Sequence, residues 1–150
     1  MNIVAVFLQP TGRVGRPRFW IAVGSLWVFG VLMNLAPSPV QALWTLPTFY
    51  MAVCVYGKRL HDMGRSAWLF GAYCLVLFVV TCAAFLLAAW AAGFEDPARQ
   101  GVVGVVAATV AGSMAWLAFT IWVGAGAGQD GPNRYGPVPR ERAGRVLAES

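Results

Sequence analysis

Charged residues are scarce in this chain. They make up 11% of its 150 residues, against about 25% in an ordinary soluble domain. Hydrophobic residues account for 59% of the sequence. A composition this apolar and this poor in charge argues against a soluble globular domain and predicts a membrane protein.

Histidine and cysteine are also rare, which limits the chemistry the chain can carry. There is one histidine, His61, and the three cysteines lie inside apolar runs without a C-x-x-C pair. A structural zinc site needs four such ligands close together, and no nucleophile elbow or phosphate-binding glycine loop accompanies His61. Its neighbour Asp62 would point about 100° away on a helix. We therefore predict no metal site, no cofactor and no catalytic residues.

Four long apolar segments dominate what remains. A helix crossing the bilayer needs about 20 mostly apolar residues, and this length is approached or exceeded by residues 19–36, 40–57, 67–93 and 101–126. Pro37 and Pro39 interrupt the chain between the first two segments, which favours a tight turn there. These features predict an all-α protein with four transmembrane helices in two hairpins, forming a single membrane domain.

Small residues recur at four-residue spacing in the last two predicted spans. Residues four apart share one face of a helix, and small side chains let two helices approach closely. We expect these spans to pack through two strips, which are Ala84, Ala88 and Ala92 in the third span and Gly104, Ala108 and Gly112 in the fourth.

The positive charges indicate how the chain is threaded. Ten of the eleven basic residues lie in three segments: a lead-in (residues 1–18), a central island (residues 57–68) and the tail (residues 127–150). Arg99 alone lies on the opposite side. Because basic loops stay in the cytoplasm, both termini and the central island are predicted to be cytoplasmic. The short apolar run Ile3 to Leu8 is expected to lie at the membrane interface.

The central island also carries signals for helix ends. Lys58, Arg59 and His61 would lie in the last turn of the second span, where positive charge suits the negative end of the helix dipole. Gly64 can adopt the left-handed conformation that ends this helix, and Ser66 is expected to cap the start of the third span.

Three motifs resemble a known family. The lead-in carries Gly12-Arg13, Arg16 and Phe19-Trp20; the central island reads from Lys58 through Leu60-His61-Asp62 to Trp68; and Gly131 to Pro139 forms a late turn-rich motif. This pattern is similar to the bacterial inner-membrane family called domain of unknown function 805, with Lys58 where the family often has Arg and Ala67 where it often has Gly. The resemblance implies a multi-pass protein of the bacterial inner membrane, and it implies no activity.

The three basic segments would converge on one cytosolic face. Arginine clusters beside aromatic residues are suited to anionic lipid headgroups, and also to an acidic protein surface. An alternative for the individual charges is that Asp62 pairs with arginines and helix ends as a structural clamp. The candidate binding residues are Arg13, Arg16, Arg59, His61, Asp62, Arg65, Asn133, Arg134 and Tyr135.

The predicted function is therefore a non-enzymatic membrane module that binds lipid headgroups or a partner protein, with a homo-oligomer as a further possibility. Nucleic-acid binding is not expected, because the topology already explains the positive charge and no recognition motif is present. The alternative is a small oligomeric transporter or channel component, although the predicted spans hold no ionisable residue of the kind that transport pathways use.

Overall fold

The computed structural model describes residues 3–93 and 96–139. Five helices follow one another: α1 (Ile3–Leu8), α2 (Arg16–Asn34), α3 (Ser38–Asp62), α4 (Trp68–Ala91) and α5 (Pro97–Ala125). The described residues contain no strand, only an isolated bridge between Asn133 and Gly136. The all-α prediction is thus confirmed. The tail residues Arg140, Arg142 and Arg145 lie outside the described ranges.

Helices α2, α3 and α5 begin earlier than the apolar runs suggest, and local chemistry at their first turns explains why. Pro17 and Pro39 occupy the first turns of α2 and α3, where proline fits without losing a hydrogen bond. At the start of α5 the Asp96 carboxylate accepts hydrogen bonds from the backbone amides of Ala98 (3.0 Å) and Arg99 (3.2 Å). This cap moves the start of α5 to Pro97 instead of the predicted residue 101.

Within the described ranges, two helices are long and apolar enough to cross a membrane, namely α4 with 24 residues and α5 with 29. Two compact units can be distinguished along the chain. Of the described residues, 3–70 and 123–139 form the first unit, and 71–93 with 96–122 form the second. The candidate site lies entirely within the first unit.

A small aromatic and aliphatic core supports the first unit. Phe19 of α2 is fully buried and meets the ring of Tyr56 edge-on, with 5.3 Å between ring centres. Tyr56 in turn stacks on Phe70, with ring centres 5.0 Å apart. Leu60 and Val123 are buried as well. This core fixes α3 against α2 and holds the polar end of α3 in place.

In the second unit, α5 approaches α4 through its small residues, as expected. A Cβ atom on Gly104 would lie 2.8 Å from the ring of Phe85, and one on Gly112 would lie 2.8 Å from the methyl group of Thr81. The α4 residues that reach these glycines are therefore Thr81 and Phe85, whereas the sequence suggested the alanine strip at 84, 88 and 92. Larger side chains fill the groove that the glycines leave open.

We expect Gly112→Leu to lower the free energy of unfolding by about 1–3 kcal/mol, the usual cost of overpacking. The new side chain would collide with Thr81. Gly101→Leu in the same helix is the matched control, because a Cβ there has open space within 4 Å. Unfolding in detergent micelles measures both variants, and equal stability of the two would contradict this packing.

Candidate functional site

The first residues of the central island form the last turns of α3, and the residues that follow end this helix. Gly64 adopts a left-handed conformation with φ of +73°, the amide of Gly64 donates to the carbonyl of His61 at 3.0 Å, and the amide of Arg65 donates to that of Leu60 at 2.8 Å. These bonds form a Schellman cap, so the predicted cap at Gly64 is confirmed. Ser66 accepts a hydrogen bond from the amide of Trp68 at 3.3 Å and so caps the start of α4, also as predicted.

Asp62 lies between two arginines in the interior of the first unit. Its Oδ1 accepts hydrogen bonds from Nε (3.1 Å) and Nη2 (2.9 Å) of Arg13, and its Oδ2 accepts one from Nη1 of Arg59 (2.5 Å). The side chains of Asp62 and Arg59 are 0% exposed and that of Arg13 is 1% exposed. A carboxylate at a helix C-terminus lies at the unfavourable end of the helix dipole, and the two guanidinium groups offset that cost.

Arg59 also caps the end of α5. Its Nε donates to the carbonyl of Val123 at 3.1 Å and its Nη2 to that of Gly126 at 2.6 Å. Arg16 adds a second hydrogen bond to the Gly126 carbonyl at 3.1 Å. Carbonyls at a helix C-terminus lack partners within the helix and carry its partial negative charge. Two cations therefore stabilise the negative end of α5.

Lys58, the residue before Arg59, caps the C-terminal end of α1. Its buried ammonium group donates to the carbonyl of Ala5 and, at 3.0 Å, to that of Val6. The hydroxyl of Tyr50 donates to the carbonyl of Leu8 at 2.9 Å. Burial lowers the pKa of the Lys58 amine from its ordinary value. The C-terminal ends of α1, α3 and α5 thus meet at the central island, where basic side chains donate to the carbonyls of α1 and α5.

The late turn (residues 127–139) packs on the end of α3. The amide of Gln129 donates to the carbonyl of Asp62 at 2.8 Å, and Asn133 Nδ2 donates to that of His61 at 3.0 Å. Arg13 holds the turn from the other side, because its Nη1 and Nη2 donate to the carbonyls of Gly131 and Gln129 at 2.6 Å each. Arg13 therefore joins the lead-in, the central island and the late turn.

His61 is contacted by both the lead-in and the late turn. Its ring stacks on that of Tyr135, with ring centres 3.9 Å apart and planes 7° from parallel, and its Nδ1 lies 3.2 Å from the carbonyl of Gly12. Burial lowers the pKa of His61, the hydrogen bond to Gly12 opposes this shift, and the charge of Arg134 lowers the pKa further. The Arg134 guanidinium carbon lies 4.7 Å from the centre of the Tyr135 ring.

The structure brings six of the nine predicted residues into direct contact with another of the three segments. Arg13, Arg59 and Asp62 form the buried cluster, and His61, Asn133 and Tyr135 form the contact with the late turn. Arg16 joins them through Gly126. Arg65 and Arg134 are exposed. For Arg13, Arg59 and Asp62, the structural clamp that was the alternative interpretation describes the observed contacts.

Sequence reasoning missed the roles of Lys58 and of the residues that supply only backbone carbonyls. Lys58 was assigned to the end of its own helix, yet it caps α1. Gly12, Val123 and Gly126 contribute backbone carbonyl oxygens, and no pattern of side chains in the sequence predicts that role. Among residues 3–93 and 96–139, no group of three His, Cys, Asp or Glu residues could hold a metal ion.

Comparison with known proteins identifies relatives over most of the chain. The sequence model of the family described as "Protein of unknown function (DUF805)" matches residues 7–137. Two curated proteins, each named "Uncharacterized protein YiiR", come from Escherichia coli K12 and from Escherichia coli O157:H7. Each is 32% identical over 132 residues, which cover 83% of this chain and 82% of the relative. No solved structure matches.

Proposed function

This chain belongs to the DUF805 family of proteins of unknown function, and we propose that it is a non-enzymatic, multi-pass protein of the bacterial inner membrane that binds anionic lipid headgroups. In this proposal α2 to α5 contain four spans in two hairpins that form a single membrane domain, and the second span ends near residue 57. Residues 1–18, the central island (residues 57–68) and residues 127–150 lie in the cytosol. The relatives from Escherichia coli and the two apolar helices α4 and α5 support a bacterial membrane location.

Exposed apolar side chains on α2 and α3 support counting these helices as spans too. Val28 and Val31 of α2 and Leu43 and Leu46 of α3 each have more than half of their surface exposed. A soluble protein rarely leaves a contiguous apolar patch of large side chains in water. Lipid tails would cover these faces at no cost. The distribution of basic residues then favours cytoplasmic termini.

The division between buried and exposed arginines carries the proposal for lipid binding. Arg13 and Arg59 direct their donors into the protein, whereas Arg16, Arg65 and Arg134 are exposed. A guanidinium group pairs well with a phosphate. We call these three exposed residues the basic rim.

Two tryptophans lie next to the basic rim in the sequence and favour a membrane surface over a protein as its partner. Trp68 is 85% exposed and lies three residues after Arg65, at the start of α4, and Trp20 follows Arg16 in the first turns of α2. Tryptophan rings prefer the headgroup level of a bilayer. An acidic protein surface, or a second copy of the chain, is the other partner that the basic rim could meet.

We expect Arg65→Gln and Arg134→Gln each to weaken retention of anionic lipid about five-fold, since a basic residue near an anionic surface contributes about 1 kcal/mol. Native mass spectrometry of the purified protein, with phosphatidylglycerol titrated against phosphatidylcholine, measures this. Arg99→Gln is the matched control, because Arg99 is also exposed but lies at the opposite end of α5. Retention equal to that of the control in both variants would refute lipid binding by the basic rim. Capture of an acidic protein with unchanged lipid retention would identify the other partner.

A further inference from the structure

We propose that the contact between His61 and Tyr135 is a pH-sensitive latch, which releases the late turn from the end of α3 when His61 takes up a proton. This inference concerns the attachment of the late turn within the protein and does not depend on lipid binding by the basic rim. It rests on the position of the single histidine of the chain, whose ring is shared by two remote segments.

The geometry assigns the tautomer of His61. Its Nδ1 lies 3.2 Å from the carbonyl oxygen of Gly12, and a carbonyl can only accept a hydrogen bond. Nδ1 therefore carries the hydrogen in the neutral ring, and a second proton would bind at Nε2. The parallel stack on Tyr135, with ring centres 3.9 Å apart, holds this ring against the late turn.

The charges around the ring oppose a positive histidine. Arg134 is the cation of the late turn, and its guanidinium carbon lies 4.7 Å from the centre of the same Tyr135 ring. Asp62, the neighbouring carboxylate on α3, already pairs with two arginines and so offers little compensation. The charged and titratable groups on the elements around His61 are Arg13, Arg16 and Arg18 of the lead-in, Lys58, Arg59 and Asp62 of α3, Arg65 directly after α3, and Asp130, Arg134 and Tyr135 of the late turn.

An imidazolium ring would gain some cation–π attraction from Tyr135. The guanidinium group of Arg134 is already placed over that ring, however, so a second cation would meet electrostatic repulsion there. Desolvation adds to this cost, because the ring is partly buried between the lead-in and the late turn. The neutral stack is therefore the favoured form, and protonation weakens it.

The sign of the pH dependence follows from the direction of the shift. The pKa of His61 in the folded protein is lower than the ordinary 6.5, so a released or unfolded chain binds this proton more readily. The latch thus contributes its full stability above pH 6.5. That contribution is lost as the pH falls through 6.5 towards the lower folded pKa.

The test uses the full chain in neutral detergent micelles, where lipid binding plays no part. Its single histidine is labelled with ¹³C and titrated by NMR between pH 5 and pH 8, together with the backbone amide signal of Tyr135. We expect one midpoint below 6.5 that both signals share. Arg134→Gln should move this midpoint upwards, whereas Arg99→Gln should leave it unchanged.

Two results would overturn the proposal. One is a His61 midpoint at or above 6.5 in the unmodified protein. The other is a Tyr135 signal that stays constant while His61 titrates, which would mean that protonation leaves the late turn in place. Neither measurement depends on a variant that could fail to fold.

Discussion

Asp62→Asn is expected to lower the free energy of unfolding by about 3–5 kcal/mol, the usual result of removing one partner from a buried ion pair. The carboxylate accepts hydrogen bonds from Arg13 and Arg59, and all three side chains are buried. Asparagine has nearly the same shape but no charge. It would leave the guanidinium groups of Arg13 and Arg59 in the protein interior without an anion. The amide hydrogens of the new side chain would also face the N–H donors of these two arginines.

Unfolding by sodium dodecyl sulfate in mixed micelles gives the stability of the Asp62→Asn variant. Asp130→Asn serves as the control, because Asp130 is an exposed carboxylate on the late turn, and we expect it to change stability by less than about 1 kcal/mol. A double-mutant cycle with Arg13→Gln then isolates the ion pair. Purely additive effects of the two substitutions would mean that Arg13 and Asp62 do not act as a pair.

The helices and their ends were largely predictable from the sequence. Apolar runs located α2 to α5 to within a few residues, and Gly64 and Ser66 were identified as caps of α3 and α4 from local chemistry alone. Such signals are local, since a cap acts on residues within one or two turns. The remaining errors lie at helix ends that contain polar residues, which did not count towards a span: α5 begins at Pro97 after its cap Asp96, and α3 continues to Asp62 instead of ending at residue 57.

The partners of the central island were not predictable in the same way. Lys58 and Arg59 are adjacent on α3, yet one reaches α1 and the other reaches the end of α5, 64 residues later in the chain at Val123. Both side chains donate hydrogen bonds to backbone carbonyls. Every residue has such a carbonyl, so no sequence pattern marks which one is the acceptor. Only the packing of α3 against the other segments of the first unit determines which carbonyls lie within reach.

In the proposed topology, the basic residues that follow the positive-inside rule lie on the same side of the membrane as the C-terminal ends of α3 and α5. With both termini in the cytosol, α3 and α5 end on the cytosolic side, and their negative dipole ends lie there. Basic residues that keep a loop in the cytoplasm are then also the residues that can satisfy these carbonyls. Buried Arg59, which donates to the carbonyls of Val123 and Gly126, illustrates the second role, so counting basic residues alone overstates how many of them face lipid.

Arg59→Met should be as damaging as the loss of Asp62, with a decrease of about 3–5 kcal/mol in the free energy of unfolding. The substitution removes one of the two arginines that pair with Asp62, takes the Arg59 donor from the Val123 carbonyl, and leaves the Gly126 carbonyl with Arg16. The last turn of α5 would then fray, because buried carbonyls without partners are costly. Hydrogen exchange at residues 120–126 should accelerate in this variant.

Arg59→Lys separates the charge of Arg59 from its geometry. Lysine keeps the positive charge but cannot present the planar fork that reaches Asp62 and α5 together, so we expect a loss of stability smaller than that of Arg59→Met but well above zero. Arg65→Met, at an exposed position six residues later, is the control and should change stability by less than about 1 kcal/mol. If Arg59→Lys were as stable as the unmodified protein, charge alone would explain the role of Arg59. The hydrogen bonds of its planar guanidinium group to both Asp62 and the end of α5 would then add nothing to stability.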